Sequence, residues 1–295
     1  MSYDIYTGLL KAFPLPTEGK TDICFTYDNS NAQFAALKSI YPIEAAAGDG
    51  EDFARALNLL HWVSENVWHK GNYDNHVPCN ALDLLNYAYG NKKRNRINCL
   101  ALSSILTECL LAVGLKARRV GIMPCSPYDG DNHVVSHVFI NEMNKWVMLD
   151  PTYNAYFTNK QGEVLSLLEL RDCLANQDSV FFNAEAKYHN RTLNEKSRTA
   201  NIKYFAKNLY YFATFENSSF GKYTSAENRP VLLSPQGYDT KKARIANIEY
   251  RIKKYGDGPD VQSWLERAKQ EKHCHCTAVD FEQSPNIAEI SPSAR

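Results

Sequence analysis

Three residue types in this chain stand where acyl chemistry would need them: Cys99, His137 and Asp150. Cys99 begins a strongly apolar run. From Leu100 to Val113 the only polar breaks are Ser103, Ser104, Thr107 and Glu108. A helix apolar nearly all round belongs in the middle of a domain. Asn98 is a good N-cap and Gly114 a good C′ stop, which makes Cys99 the first helical residue. There its N–H has no intrahelical partner, and the positive end of the helix dipole favours thiolate over thiol. The rival reading is a small buried core cysteine.

His137 and Asp150 fall on two successive strands. Val134 to Asn141 and Trp146 to Asp150 both read as β, with Glu142-Met143-Asn144-Lys145 as the turn between them. Antiparallel pairing about the Met143–Asn144 midpoint sets Asn141 opposite Trp146, Phe139 opposite Met148 and His137 opposite Asp150. Opposed Cβ atoms stand roughly 4.5–5.5 Å apart. A carboxylate at that distance fixes the imidazole tautomer and stabilises its protonated form. His133 is the rival, with the same facing parity four residues earlier, roughly 13 Å along the strand. The pairing with Asp150 favours His137. A polar cross-strand pair on a sheet surface is the alternative reading of the same residues.

The blocks that carry these residues are similar to the transglutaminase-like superfamily, a variation on the papain-type cysteine fold. Its pattern has a helix-start Cys, a G-[IL]-x-A-R exit into a strand, an H-[AVS]-[WF] strand and W-x-x-[LVF]-D-P-T. The matching blocks are Cys99-Leu100-Ala101-Leu102, Gly114-Leu115-Lys116-Ala117-Arg118, His137-Val138-Phe139 and Trp146-Val147-Met148-Leu149-Asp150-Pro151-Thr152. The likeness spans roughly residues 53–177. It implies an α+β fold with the nucleophile helix packed on an antiparallel sheet. It also implies a triad of Cys99 as nucleophile, His137 as base and Asp150 as orienting acid. Animal cross-linking enzymes of the superfamily carry Gly-Gln-Cys-Trp where this chain has Ile97-Asn98-Cys99-Leu100, so calcium-dependent cross-linking is not implied. The second oxyanion donor has no assignment.

Composition narrows the classes. The chain has 295 residues, 44% hydrophobic, enough for a large core. With 33 basic against 33 acidic side chains it lacks the basic excess of a nucleic-acid surface. No apolar run reaches transmembrane length, and no charged-then-apolar leader opens the sequence. Eight cysteines without scaffold spacing read as reduced thiols, so a cytoplasmic location is expected. His273-Cys274-His275-Cys276 alternates in a way that suits no common structural zinc site, and no metal or cofactor is expected.

The expected organisation has an N-terminal extension over 1–50 packed on a catalytic core over 51–177. An aromatic-rich elaboration over 178–276 and a flexible tail over 277–295 follow. Asp52 to Val67 is an amphipathic helix with His61 and His69 on or just past it, each a candidate group behind the site. Asn80 to Tyr89 is a second helix. The basic run Asn91 to Arg96 leads to the nucleophile, with Arg96 placed to meet an acidic substrate group. Asp129-Gly130-Asp131-Asn132 reads as a turn rather than a calcium loop. Ser166 with Glu169 forms a capping box. The aromatics around Tyr210-Tyr211-Phe212 either cover the site or fill the core.

These readings converge on a cofactor-free enzyme acting through a Cys99 thioester on a peptide, protein or small amide or ester. Hydrolysis is favoured slightly over transfer to an amine. A non-catalytic binding module on the same fold and a Cys/His metalloprotein are the rivals.

Overall fold

The computed structural model describes residues 4–19, 21–223, 228–256 and 259–285. The chain opens with α1 (Asp4–Ala12), a short strand β1 (Thr26–Tyr27), α2 (Ala32–Ile40) and α3 (Ile43–Ala47). Two helices, α4 (Asp52–Asn66) and α5 (Ala81–Ala88), then precede the nucleophile helix α6 (Cys99–Ala112). A meander follows: β2 (Ala117–Met123), β3 (His133–Ile140) and β4 (Lys145–Leu149). Next come β5 (Phe157–Thr158), α7 (Leu167–Ala175), β6 (Phe181–Phe182), β7 (Lys187–Tyr188), β8 (Arg191–Thr192) and α8 (Glu195–Asn208). The last stretch holds β9 (Tyr211–Phe215), β10 (Asn217–Ser218), β11 (Pro230–Leu233), α9 (Thr240–Tyr255), α10 (Pro259–Gln270), β12 (Cys274–His275) and α11 (Ala278–Phe281).

The main sheet runs β12-β11-β9-β2-β3-β4, antiparallel except where β12 joins β11 in parallel. Half of its strands lie beyond residue 177, so the sheet continues past the boundary expected there. This is an α+β arrangement with a helix layer on each face. On one face α6 lies against β2 and β3, wrapped by α2 to α5. On the other, α7 and α8 cover Val120, Val135, Met148 and Phe212. Among the described residues no helix is long and apolar enough to cross a membrane.

The sequence of α6 explains its central place. Every residue from Ala101 to Ala112 is buried. Each buried Leu or Ile there stabilises the fold by roughly 1.5–3 kcal/mol. Its polar breaks are ties to neighbours. Ser103 donates to the Val134 carbonyl at 2.7 Å, Thr107 meets Ser136 at 2.9 Å and Arg119 donates to Ser104 at 2.6 Å. The Glu108 carboxylate accepts from the N–H groups of Ala81 and Gly221 at 2.7 and 3.0 Å. Asn98 caps the start, accepting from the Ala101 N–H at 3.1 Å. Gly114, at φ 86°, ends the helix. Gly114 and Leu115 donate back to Leu111 and Leu110, which satisfies the last carbonyls.

The C-terminal part settles the aromatics in the core, one of the two readings of that stretch, and shortens the tail. Tyr210, Tyr211 and Phe212 are buried in the core as β9 enters the sheet. The segment after residue 277 is not all tail. Thr277 and Asp280 form a capping box, and Phe281 is 1% exposed. Residues 286–295 lie outside the described residues.

Candidate active site

Cys99 sits at the first turn of α6, partly exposed in a cleft of about 660 Å³. Two imidazoles line the same cleft, those of His133 and His69. His133 opens β3 and is 3% exposed. Its Nε2 lies 2.8 Å from Asp150 Oδ2, which leaves Nδ1 as the ring nitrogen not taken by the carboxylate. Asp150 follows β4 and is fully buried, and its other oxygen accepts the Thr152 N–H at 2.8 Å. That carboxylate-to-i+2 bond is an Asx turn, which holds the carboxylate independently of the ring.

The histidine that meets Cys99 and Asp150 is therefore His133, and the expected His137–Asp150 pair does not form. The cause is the turn. Asn144 takes the left-handed conformation at φ 48°, which Asn tolerates, and the loop spans residues 141–144. Its centre lies one residue earlier than expected, so every partner shifts by two: Phe139 faces Trp146 and His137 faces Met148. An even shift keeps each side chain on its own face. Continuing this register sets Asp150 opposite Val135, one pleat past His137, and its carboxylate reaches His133 on the diagonal. His137 is fully buried between Trp146 and Phe281, with ring centroids at 5.0 and 5.9 Å. Burial and the Arg118 guanidinium, 3.3 Å from its Nδ1, hold its pKa well below the usual imidazole range. A ring held back from charging and packed among aromatics is part of the core.

His69 comes to the cleft from a different element. After α4 ends, Trp68 and Lys70 bond the Ile97 backbone, making a parallel bridge between His69 and Ile97, two residues before the nucleophile. His69 Nδ1 lies 3.0 Å from the Tyr188 hydroxyl, and its carbonyl accepts from His189 at 3.1 Å. With Nδ1 taken by the Tyr188 hydroxyl, Nε2 is the ring nitrogen left over. A histidine just past an amphipathic helix is the only mark of this residue in the sequence. Its bridge to Ile97 joins segments far apart in the chain. Arg96 is used elsewhere, with its guanidinium 5.5 Å from the Trp68 ring.

The electrostatics couple the pair. Burial pushes the Cys99 thiol up, but hydrogen bonds from His133 and His69 and the charges of both outweigh it and lower the thiol to about 6. Burial alone would lower His133. The Asp150 carboxylate and the Cys99 sulfur reverse this and raise it to about 10. Near neutral pH this favours a thiolate beside an imidazolium. Tyr204 and Phe205 wall the ring, with centroids 5.7 and 5.6 Å from His133. The His273 to Cys276 run is divided: His273 meets Arg244 and Glu271, and Cys276 is buried.

No protein-family model and no curated protein matches the chain. Among solved structures, a Cytophaga hutchinsonii protein titled a "putative cysteine protease" superposes with a TM-score of 0.33 at 17% identity, over 57% of this chain. The match spans 55% of that protein's own length.

Proposed function

We propose that the chain is a thiol-dependent acyl-transfer enzyme with Cys99 as nucleophile, His133 as general acid and base, and Asp150 as the group that holds His133. The observation that carries this is that His133 shares the cleft wall with Cys99 while its Nε2 is held by Asp150 at 2.8 Å. The Cys99 thiolate attacks the carbonyl carbon of an amide or ester, forming a C–S bond while the C=O electron pair moves to oxygen. The Cys99 N–H at the helix start donates to that oxyanion. His69, held at Nδ1 by Tyr188, is the second donor at hand. As the tetrahedral intermediate collapses, the bond to the leaving amine or alcohol breaks and His133 gives that group its proton. His133 then takes a proton from water as water attacks the thioester, releasing acid and regenerating the thiolate. Solvent access to Cys99 through the cleft supports water as the acceptor.

The test is to mix the protein with a 4-nitrophenyl ester and quench within one turnover. Mass spectrometry should find the acyl group on the peptide containing Cys99. Turnover that survives Cys99→Ala would sink the reading.

A further inference from the structure

The charge in the cleft is not balanced, although the chain as a whole is. Helix α9 carries Lys241, Lys242, Arg244, Arg251, Lys253 and Lys254 against a single acid, Glu249. It packs with α10 around its own small core of Ile248, Leu265 and Ala268. From this helix pair Arg251 and Arg267 line the cleft that holds Cys99. The acids nearby are already engaged. Glu271 pairs with Arg244 and His273, while Asp131 accepts from Tyr204 and pairs with Lys207. Among the described residues neither Arg251 nor Arg267 has an ion-pair partner.

An exposed arginine on a helix is ordinarily just solvated. These two share a concave wall with the nucleophile. There, low-dielectric surroundings focus the field of unpaired charges on whatever enters. Guanidinium groups present paired donors that match carboxylate and phosphate oxygens. Resting on the thiol acyl-transfer reading above, we infer that the substrate is a peptide segment bearing anionic side chains next to the reacting carbonyl, and that Arg251 and Arg267 select it.

The experiment uses the full chain and chloroacetyl-capped tripeptides that alkylate Cys99: Glu-Glu-Ala, Ser-Ser-Ala, Lys-Lys-Ala and phosphoserine-Ser-Ala. Second-order rates are read by mass spectrometry of the Cys99 peptide. In dilute salt the Glu-Glu reagent should react roughly tenfold faster than Ser-Ser, and Lys-Lys slower. The preference should fade between about 0.01 M and about 1 M salt, where the screening length falls from about 30 Å to about 3 Å. It should shrink toward unity in the Arg251→Ala/Arg267→Ala double variant and invert in Arg251→Glu/Arg267→Glu. Uncharged iodoacetamide should react at one rate with all three proteins. A phosphoserine rate above that of Glu-Glu would assign the anion as phosphate, and the reverse order as carboxylate. Equal Glu-Glu and Ser-Ser rates in the parent protein would overturn the inference and leave the thiol reading standing. So would a preference that persists undiminished in the double alanine variant, which would assign it to the His133 charge. Failure of Cys99 to react with any reagent would overturn both.

Discussion

His133 Nε2 stands 2.8 Å from Asp150 Oδ2 at the open end of the β3–β4 hairpin, with both side chains nearly sealed from water. The contact lies two pleats away from the fully buried His137 on the same strand. Which of these histidines faces the sulfur decides what each substitution should do.

His133→Ala should lower kcat/KM by roughly 10²–10⁴-fold, the usual contribution of a positioned acid–base group. His137→Ala should leave the chemistry in place and cost stability instead, on the order of 2 kcal/mol, by opening a hole among Trp146, Phe281 and Arg118. Steady-state kinetics with urea unfolding of both variants checks this. Loss of activity in a folded His137→Ala would reverse the assignment.

Cys99 should outpace the other cysteines toward iodoacetamide, since burial raises the thiols of Cys109, Cys173 and Cys276. Its rate should climb as pH rises through about 6, where the thiol ionises, and activity should fall near 10, where His133 loses the proton it must donate. Peptide mapping after brief labelling across pH gives the profile. A single rise near the ordinary thiol value would count against the ion pair.

Asp150→Asn should narrow that window from both sides. The carboxylate is the main influence raising His133, so without it the alkaline limb moves down. A less charged His133 lowers the thiol less, so the acid limb moves up. Circular dichroism should show the fold retained, and a profile identical to the parent's would exclude the orienting role.

His69→Ala should reduce kcat by roughly 10²–10³-fold with little change in KM, as expected of a donor used in the transition state. Tyr188→Phe removes only the hydroxyl that holds Nδ1 and should cost less. A rise in KM at constant kcat would make His69 a binding residue.

Phe281→Ala should destabilise the fold by about 3–5 kcal/mol, because the ring is 1% exposed against Phe25, Phe212 and Arg118. Thermal unfolding measures it. An unchanged Tm would mean that α11 detaches in solution.

Local rules read well where the information is local. The Asn98 cap, the all-apolar face of α6, the Gly114 stop and the Ser166–Glu169 box are each written within a few residues, and each stands in the fold as written. Alternation along β3 likewise sets His133 and His137 on one face. What the chain could not show alone is register, because Met143–Asn144 and Glu142–Met143 are both plausible turn centres and differ only in where Asn144 puts its backbone. That single-residue choice moves Asp150 off His137 to a place opposite Val135, from which its carboxylate reaches His133 on the diagonal. The tertiary structure also decides the contacts between segments remote in sequence: His69 beside Ile97, Phe281 over Arg118, and strands after residue 177 in the central sheet. Such pairings depend on which surfaces are left to cover once the local elements exist, and no window of the sequence contains both partners.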